Sequence, residues 1–123
     1  MALSDQLSEG YEEREINFRE TVQPGAGVRV SKHLNFPGRV TKVMMHFPPG
    51  TSGLVDMKLE KDKNSFYPQS GFIALDDATP VYHTNIDYYR REPLDLVVRN
   101  RDEDNEHTVT CTVVIRFKKP GWY

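Results

Sequence analysis

The run HTVTCTVVIRFKK, residues 107–119, constrains this chain more than any other stretch. Val109, Cys111, Val113, Ile115 and Phe117 fall on one side of a two-residue period. Thr108, Thr110, Thr112, Arg116 and Lys118 fall on the other, and only Val114 breaks that polar side. Such alternation describes a strand with one buried and one wet face. Eleven residues in a strand reach about 36 Å, whereas a compact domain of this length has a radius of gyration of about 14 Å. The strand therefore crosses the molecule, and its single wet face assigns it to an antiparallel sheet.

Other segments repeat the pattern. REINFRETV sets Ile16, Phe18 and Val22 on one side, and GVRVSK sets Val28 and Val30. RVTKVMMHF aligns Thr41, Val43, Met45 and Phe47; LVDMKLE aligns Val55, Met57 and Leu59. GFIALDD is a short apolar run, and PLDLVVRN offers Leu94, Leu96 and Val98. Pro/Gly corners separate them, among them QPGAG, NFPG, FPPGTSG and YPQSG. Seven or eight short strands between such corners predict one all-β domain, an antiparallel sandwich of jelly-roll or immunoglobulin-like order. ATPVYHTNIDYYRREP reads as a long crossover connection. The domain is expected over residues 15–119, with an N-terminal arm at 1–14 and a tail at 120–123.

With 123 residues the chain can bury one core. A net charge of −2 gives no bulk attraction to nucleic acid or an anionic membrane, and no apolar run is long enough to span a bilayer as a helix. MALSDQLSEG lacks the basic and apolar regions of a secretory signal, so the expected location outside a virion is cytoplasmic. The single cysteine forms no internal disulfide. In residues 1–14, Leu3, Leu7 and Tyr11 recur every four positions, as one stripe of a short helix would. Two readings stand: a frayed acidic tail, or an arm docked on a neighbouring subunit.

Chemistry-bearing residues are few. His33, His46, His83 and His107 show no HxH, HExxH or HxxxH spacing, so no metal ligands are assigned. His46 falls on the face opposite Val43, Met45 and Phe47, and Pro48-Pro49-Gly50 then ends that strand as a corner. Cys111 is expected as a buried, inert thiol: a copper site would need further ligands after it. DEDNEH, residues 102–107, lacks the sixth-position glycine and twelfth-position carboxylate of a calcium loop, and reads as a polar hairpin tip. Asp76-Asp77 and Glu12-Glu13 are neighbours in sequence, which strands point to opposite faces. No catalytic, cofactor-binding or metal residue is nominated, and no enzyme is expected.

Aromatic and arginine side chains remain. Tyr82, Tyr88, Tyr89, Arg90 and Arg91 cluster in VYHTNIDYYRRE, and Trp122 and Tyr123 close the chain. These residue types are enriched at binding hot spots. They are candidate interface residues together with Leu3, Leu7 and Tyr11. The alternative is a carbohydrate-binding module that stacks sugar rings on Tyr82, Tyr88 and Tyr89.

The runs FPGRVTKVMMHFPPGTSGLVDMKLEKD, YPQSGFIALDDATPVYH and PLDLVVRNRDEDNEHTVTCTVVIRF resemble small single-domain β-sandwich proteins of tailed viruses and related elements. Those proteins have structural or capsid-decorating roles. The resemblance spans roughly residues 15–118 and implies a virion component without catalytic residues. It also implies partners: other copies of the chain, in a trimer or other symmetric oligomer, and capsid protein, with no direct contact to nucleic acid or membrane.

Overall fold

The computed structural model describes residues 11–33, 37–88 and 93–118. Eight strands follow one another: β1 (Tyr11–Val22), β2 (Gly27–Lys32), β3 (Gly38–His46), β4 (Val55–Lys61), β5 (Asn64–Tyr67), β6 (Val81–Tyr88), β7 (Leu94–Asn100) and β8 (His107–Lys118). Two four-stranded antiparallel sheets result, ordered β1-β8-β3-β6 (sheet A) and β2-β7-β4-β5 (sheet B). The first half of the chain pairs with the second in mirror order: β1 with β8, β2 with β7, β3 with β6 and β4 with β5. The chain thus follows the path of one long antiparallel hairpin, wrapped so that most consecutive strands alternate between sheets. That nested order is a jelly roll. At its tip, Asp62 and Lys63 take φ of +50° and +67°, the paired positive values of a tight type I′ turn.

Period-two alternation supplies the core. Val109, Cys111, Val113, Ile115 and Phe117 of β8 face inward as expected, against Val55, Met57 and Leu59 of β4 and Leu94, Leu96 and Val98 of β7. Val114, the one apolar residue on the outer side, is also nearly buried. Full burial of a Leu, Phe or Met side chain contributes about 1.5–3 kcal/mol.

Several sequence expectations need correction. β3 does not alternate cleanly: Val40 is wholly buried and Thr41 only half-buried. The register steps between Val40 and Lys42 against both neighbours, and this bulge brings Val40 into the core in place of Thr41. VYHTNIDY is not a connection but β6, an edge strand of sheet A. Of GFIALDD only Ile73 joins a sheet, through an isolated bridge to Met57. DEDNEH is not a hairpin tip, because β7 and β8 lie in different sheets. Tyr11–Arg14 do not continue a helical arm; they open β1, paired with the far end of β8. Leu3 and Leu7 lie outside the described residues.

Each lateral seam between the sheets is bridged by a lysine. Lys32 Nζ donates to the Asn17 carbonyl of β1 and sits 5.3 Å from the Phe18 ring centroid. At the opposite seam, Lys61 Nζ donates to the Asp87 carbonyl of β6 (2.9 Å) and sits 5.7 Å from the Phe66 ring. The aliphatic stems cover the core's flank while the charged heads cap edge carbonyls that would otherwise invite another strand.

Gly38 of β3 lies close against β8. A Cβ there would lie 2.7 Å from Ile115 Cγ2 and 2.8 Å from the Arg116 carbonyl oxygen. Gly38→Ala should lower stability by about 1–3 kcal/mol, seen as a lower urea midpoint at unchanged slope. An unmoved midpoint would contradict this packing.

Candidate functional site

The alternation that buries Val55, Met57 and Leu59 points Asp56, Lys58 and Glu60 to the outer face of sheet B. There the register sets Glu60 directly opposite Asp95. Two facing carboxylates repel, but Arg29 of β2 resolves the conflict. Its Nη1 donates to both Glu60 Oε1 (2.5 Å) and Asp95 Oδ2 (2.9 Å). Lys58 Nζ lies 2.8 Å from Glu60 Oε2, and Ser31 Oγ donates to Asp95 Oδ1. Two rows along, Asp56 accepts from Arg99 Nη2 (3.1 Å) and Arg101 Nε (2.9 Å). The Phe72 ring lies over this layer, 3.9 Å from the Arg99 guanidinium carbon and 4.7 Å from Lys58 Nζ.

Burial is divided sharply between the two charges. The Asp56, Glu60 and Asp95 side chains are 6%, 7% and 4% exposed, whereas those of Arg29, Arg99 and Arg101 are 46%, 55% and 51% exposed. Hydrogen bonds from Lys58 and then Arg29 hold Glu60 below the usual glutamate range, despite burial. Glu60 and Asp95 raise Arg29, and Asp56 raises Arg101, above their ordinary values. All three carboxylates are engaged by cations, and the face presents guanidinium groups and an aromatic ring in fixed positions.

A second polar cluster ties the β7–β8 crossover. Asn100 Nδ2 donates to the carbonyls of Val22 (3.0 Å) and Asn105 (2.9 Å), and its Oδ1 accepts the Asp102 N–H. Asp102 Oδ1 accepts from the N–H groups of Asp104 and Asn105, while Oδ2 lies 2.8 Å from His107 Nε2. These contacts, the His107 hydrogen bond first, hold Asp102 down to about 2. Each oxygen is committed to the loop itself, so DEDNEH is a structural clasp.

The other expected residues fall as follows. His46 is half-buried at the end of β3, with Nδ1 2.7 Å from Thr79 Oγ1. In the corner behind it, Asp76 Oδ1 accepts the Gly50 (3.1 Å) and Ser52 (2.9 Å) N–H groups. Those bonds, led by Ser52, lower the Asp76 carboxyl and fill the corner's anion-binding nest from within. Cys111 is buried, and desolvation pushes its thiol up to about 12. Among the described residues no three His, Cys, Asp or Glu side chains are grouped to hold a metal ion. Tyr88 is wholly buried, so it offers no ring to a sugar or a partner. Tyr82 is half-buried against Tyr67, with ring centroids 4.8 Å apart, and burial first, then Tyr67, raises its phenol. Tyr11 lies in β1, while Tyr89, Arg90, Arg91, Trp122 and Tyr123 lie outside the described residues. The sequence reading missed Arg29, Lys58, Arg99 and Arg101; charges on the wet side of alternating strands were its only trace.

Two pH experiments follow. Arg29→Met should destabilise the protein at pH 7 by leaving Glu60 and Asp95 facing each other. In the wild type the lowered Glu60 contributes stability above its unfolded value of 4.5 and loses it below. The variant keeps the Lys58 contact and loses only the Arg29 share, so its deficit in urea denaturation should be full above 4.5 and shrink as pH falls below it; a deficit constant with pH would contradict the bridge. For Asp102, the stabilisation is complete above its unfolded value of 3.8 and lost between there and about 2. Asp102→Asn should flatten that part of the stability–pH curve.

No protein-family model matches this chain, and no curated protein matches it. Among solved structures, one described as the crystal structure of FLHE aligns with a TM-score of 0.51 and 16% sequence identity. The alignment covers 89% of this chain and 99% of that one. At such identity the likeness is one of fold alone, the β-sandwich expected from the sequence, and it lends no support to a virion component.

Proposed function

We propose that this chain is a non-enzymatic assembly protein that joins neighbouring subunits through the outer face of sheet B. The supporting observation is the layer of three buried carboxylates under Arg29, Lys58, Arg99 and Arg101, capped by Phe72. Arginine and aromatic side chains dominate binding hot spots. Here their positions are fixed before any partner arrives, which reduces the ordering entropy that association costs. The exposed guanidinium edges favour an acidic partner surface. The acidic residues 1–15 of a second copy supply such a surface, and residues 1–10 and the KKPGWY tail add apolar contact through Leu3, Leu7, Trp122 and Tyr123. In the setting implied by the sequence resemblance, the neighbour is a capsid subunit on a virion surface, and the chain acts as a decoration protein. That setting rests on the resemblance alone.

The test is the native mass by light scattering. The full chain should exceed its 14.2 kDa monomer mass at about 100 µM. Raising salt to about 0.5 M should lower that mass, because the Debye length contracts. Phe72→Ala combined with Arg99→Ala, and separately deletion of residues 1–10, should each shift the protein toward monomer with the β-sheet circular dichroism retained. A monomeric wild type, or variants that assemble unchanged, would refute the proposal.

A further inference from the structure

At the seam between the two edge strands β5 and β6 lies a cleft of 440 Å³, within the usual range of small-molecule sites. One wall is Phe66 to Ser70 and the other is His83 to Ile86. Its chemistry differs from that of the sheet B face, because no Asp, Glu, Lys or Arg lines it. Gln69, Ser70, His83 and Asn85 are exposed, and their side chains make no hydrogen bond to other described residues. Phe66 is buried and Ile86 half-buried, and the half-buried Tyr67 ring packs on that of Tyr82, with centroids 4.8 Å apart and planes tilted by 40°.

We propose that this cleft binds a neutral oligosaccharide. The argument begins with charge. No Asp, Glu, Lys or Arg lines the cleft, and the nearby Lys61 is held on the Asp87 carbonyl over the Phe66 ring, so a charged ligand gains little in exchange for its hydration. A neutral polyol meets no such cost. Sugar hydroxyls both donate and accept, as do the side-chain amides of Gln69 and Asn85, one on each wall, and the hydroxyl of Ser70. A fixed tyrosine offers an apolar ring face beside a polar tip, which suits the alternating C–H and O–H surface of a pyranose.

The competing occupant is an extended peptide added to the free edge of β6, and the edge geometry opposes it. Val40 pairs with Ile86 and Lys42 with His83, so Thr84 and Asn85 together face Thr41. This bulge interrupts the even spacing that an added strand needs. The Asp87 carbonyl, next along the edge, is already taken by Lys61. The ladder available to a peptide is therefore broken within the cleft, whereas side-chain recognition of a sugar does not require one.

The test titrates the full-length chain, followed by amide NMR, with neutral hexasaccharides of β-1,4-glucose, β-1,4-N-acetylglucosamine, α-1,4-glucose and α-1,6-mannose, each to about 10 mM. At least one should give saturable shifts confined to residues 66–70 and 83–86, with a Kd of about 1 mM or tighter. Gln69→Ala and Asn85→Ala, both exposed and so compatible with folding, should each weaken that binding about tenfold. Absence of saturable shifts with all four sugars overturns the proposal, as does binding that both variants leave unchanged. An uncharged Ser/Thr/Gly decapeptide that perturbs these residues when the sugars do not overturns it too, in favour of a peptide groove. None of these outcomes depends on the native mass, so the assembly proposal stands or falls separately.

Discussion

Burial of one face of β8 against sheet B is the contact from which the rest of the architecture follows. That face runs the whole twelve-residue length of the strand. Its backbone needs partners on both sides, which β1 and β3 provide. A strand of this length needs an equally long neighbour, and β1 matches it residue for residue from Tyr11 to Val22. Sheet B must then cover the apolar side, so β2, β4 and β7 contribute Val, Leu or Met at alternate positions and β5 contributes Phe66. With the central pairs fixed, β6 and β5 are left as edges on one flank and β1 and β2 on the other. The two seam lysines and the cleft lie on those flanks. Among the described residues no buried side-chain nitrogen or oxygen lacks a hydrogen-bond partner, which lets so many strands cross between sheets without stranding polar groups in the core.

The sequence made legible what alternation encodes and hid what register decides. β8, β4 and β7 could be read directly because each places aliphatic residues at every second position between punctuating turns. β6 could not: its inward residues are Tyr82, Thr84, Ile86 and Tyr88, a mixture without a strong apolar signal, and its outward side carries Val81, 47% exposed. The bulge that exchanges Thr41 for Val40 adds one residue to a strand without changing its composition, so period counting passes straight through it. β5 is only four residues long, too short for a period to register. Tyr88 shows the same limit from another side. Aromatic clusters suggest surfaces, yet whether a ring faces in or out depends on a single residue of parity.

The charged face of sheet B was the least visible feature for a related reason. Asp56, Lys58 and Glu60 look like an ordinary wet side of a strand. Their roles come from cross-strand neighbours far away in the chain: Arg29, Asp95, Arg99 and Arg101. Burying carboxylates carries a desolvation cost, and a bridged network of this kind often contributes little net stability compared with apolar residues of the same shape. Stability is thus a weak reason for its presence. Its physical consequence is rigidity of the exposed partners: guanidinium groups tied from below cannot rotate freely, and the ring stacked across them is held in the same way. A surface so constrained presents one geometry to whatever approaches it.

The two candidate surfaces meet in one short stretch of chain. Pro68, Gln69 and Ser70 form a wall of the cleft, and Phe72, two residues on, stacks on Arg99 and Lys58. Gly71 between them takes a φ of +74°, a conformation that glycine adopts without steric cost and that turns the chain from the seam onto the outer face. Ile73 then pins the segment to β4 through paired backbone hydrogen bonds with Met57 of 2.8 and 2.9 Å. That pin isolates the end of the segment from the seam, but Phe72 lies on the cleft side of it. The neutral cleft and the cationic face have different chemistries, yet they adjoin along one stretch of chain only a few residues long.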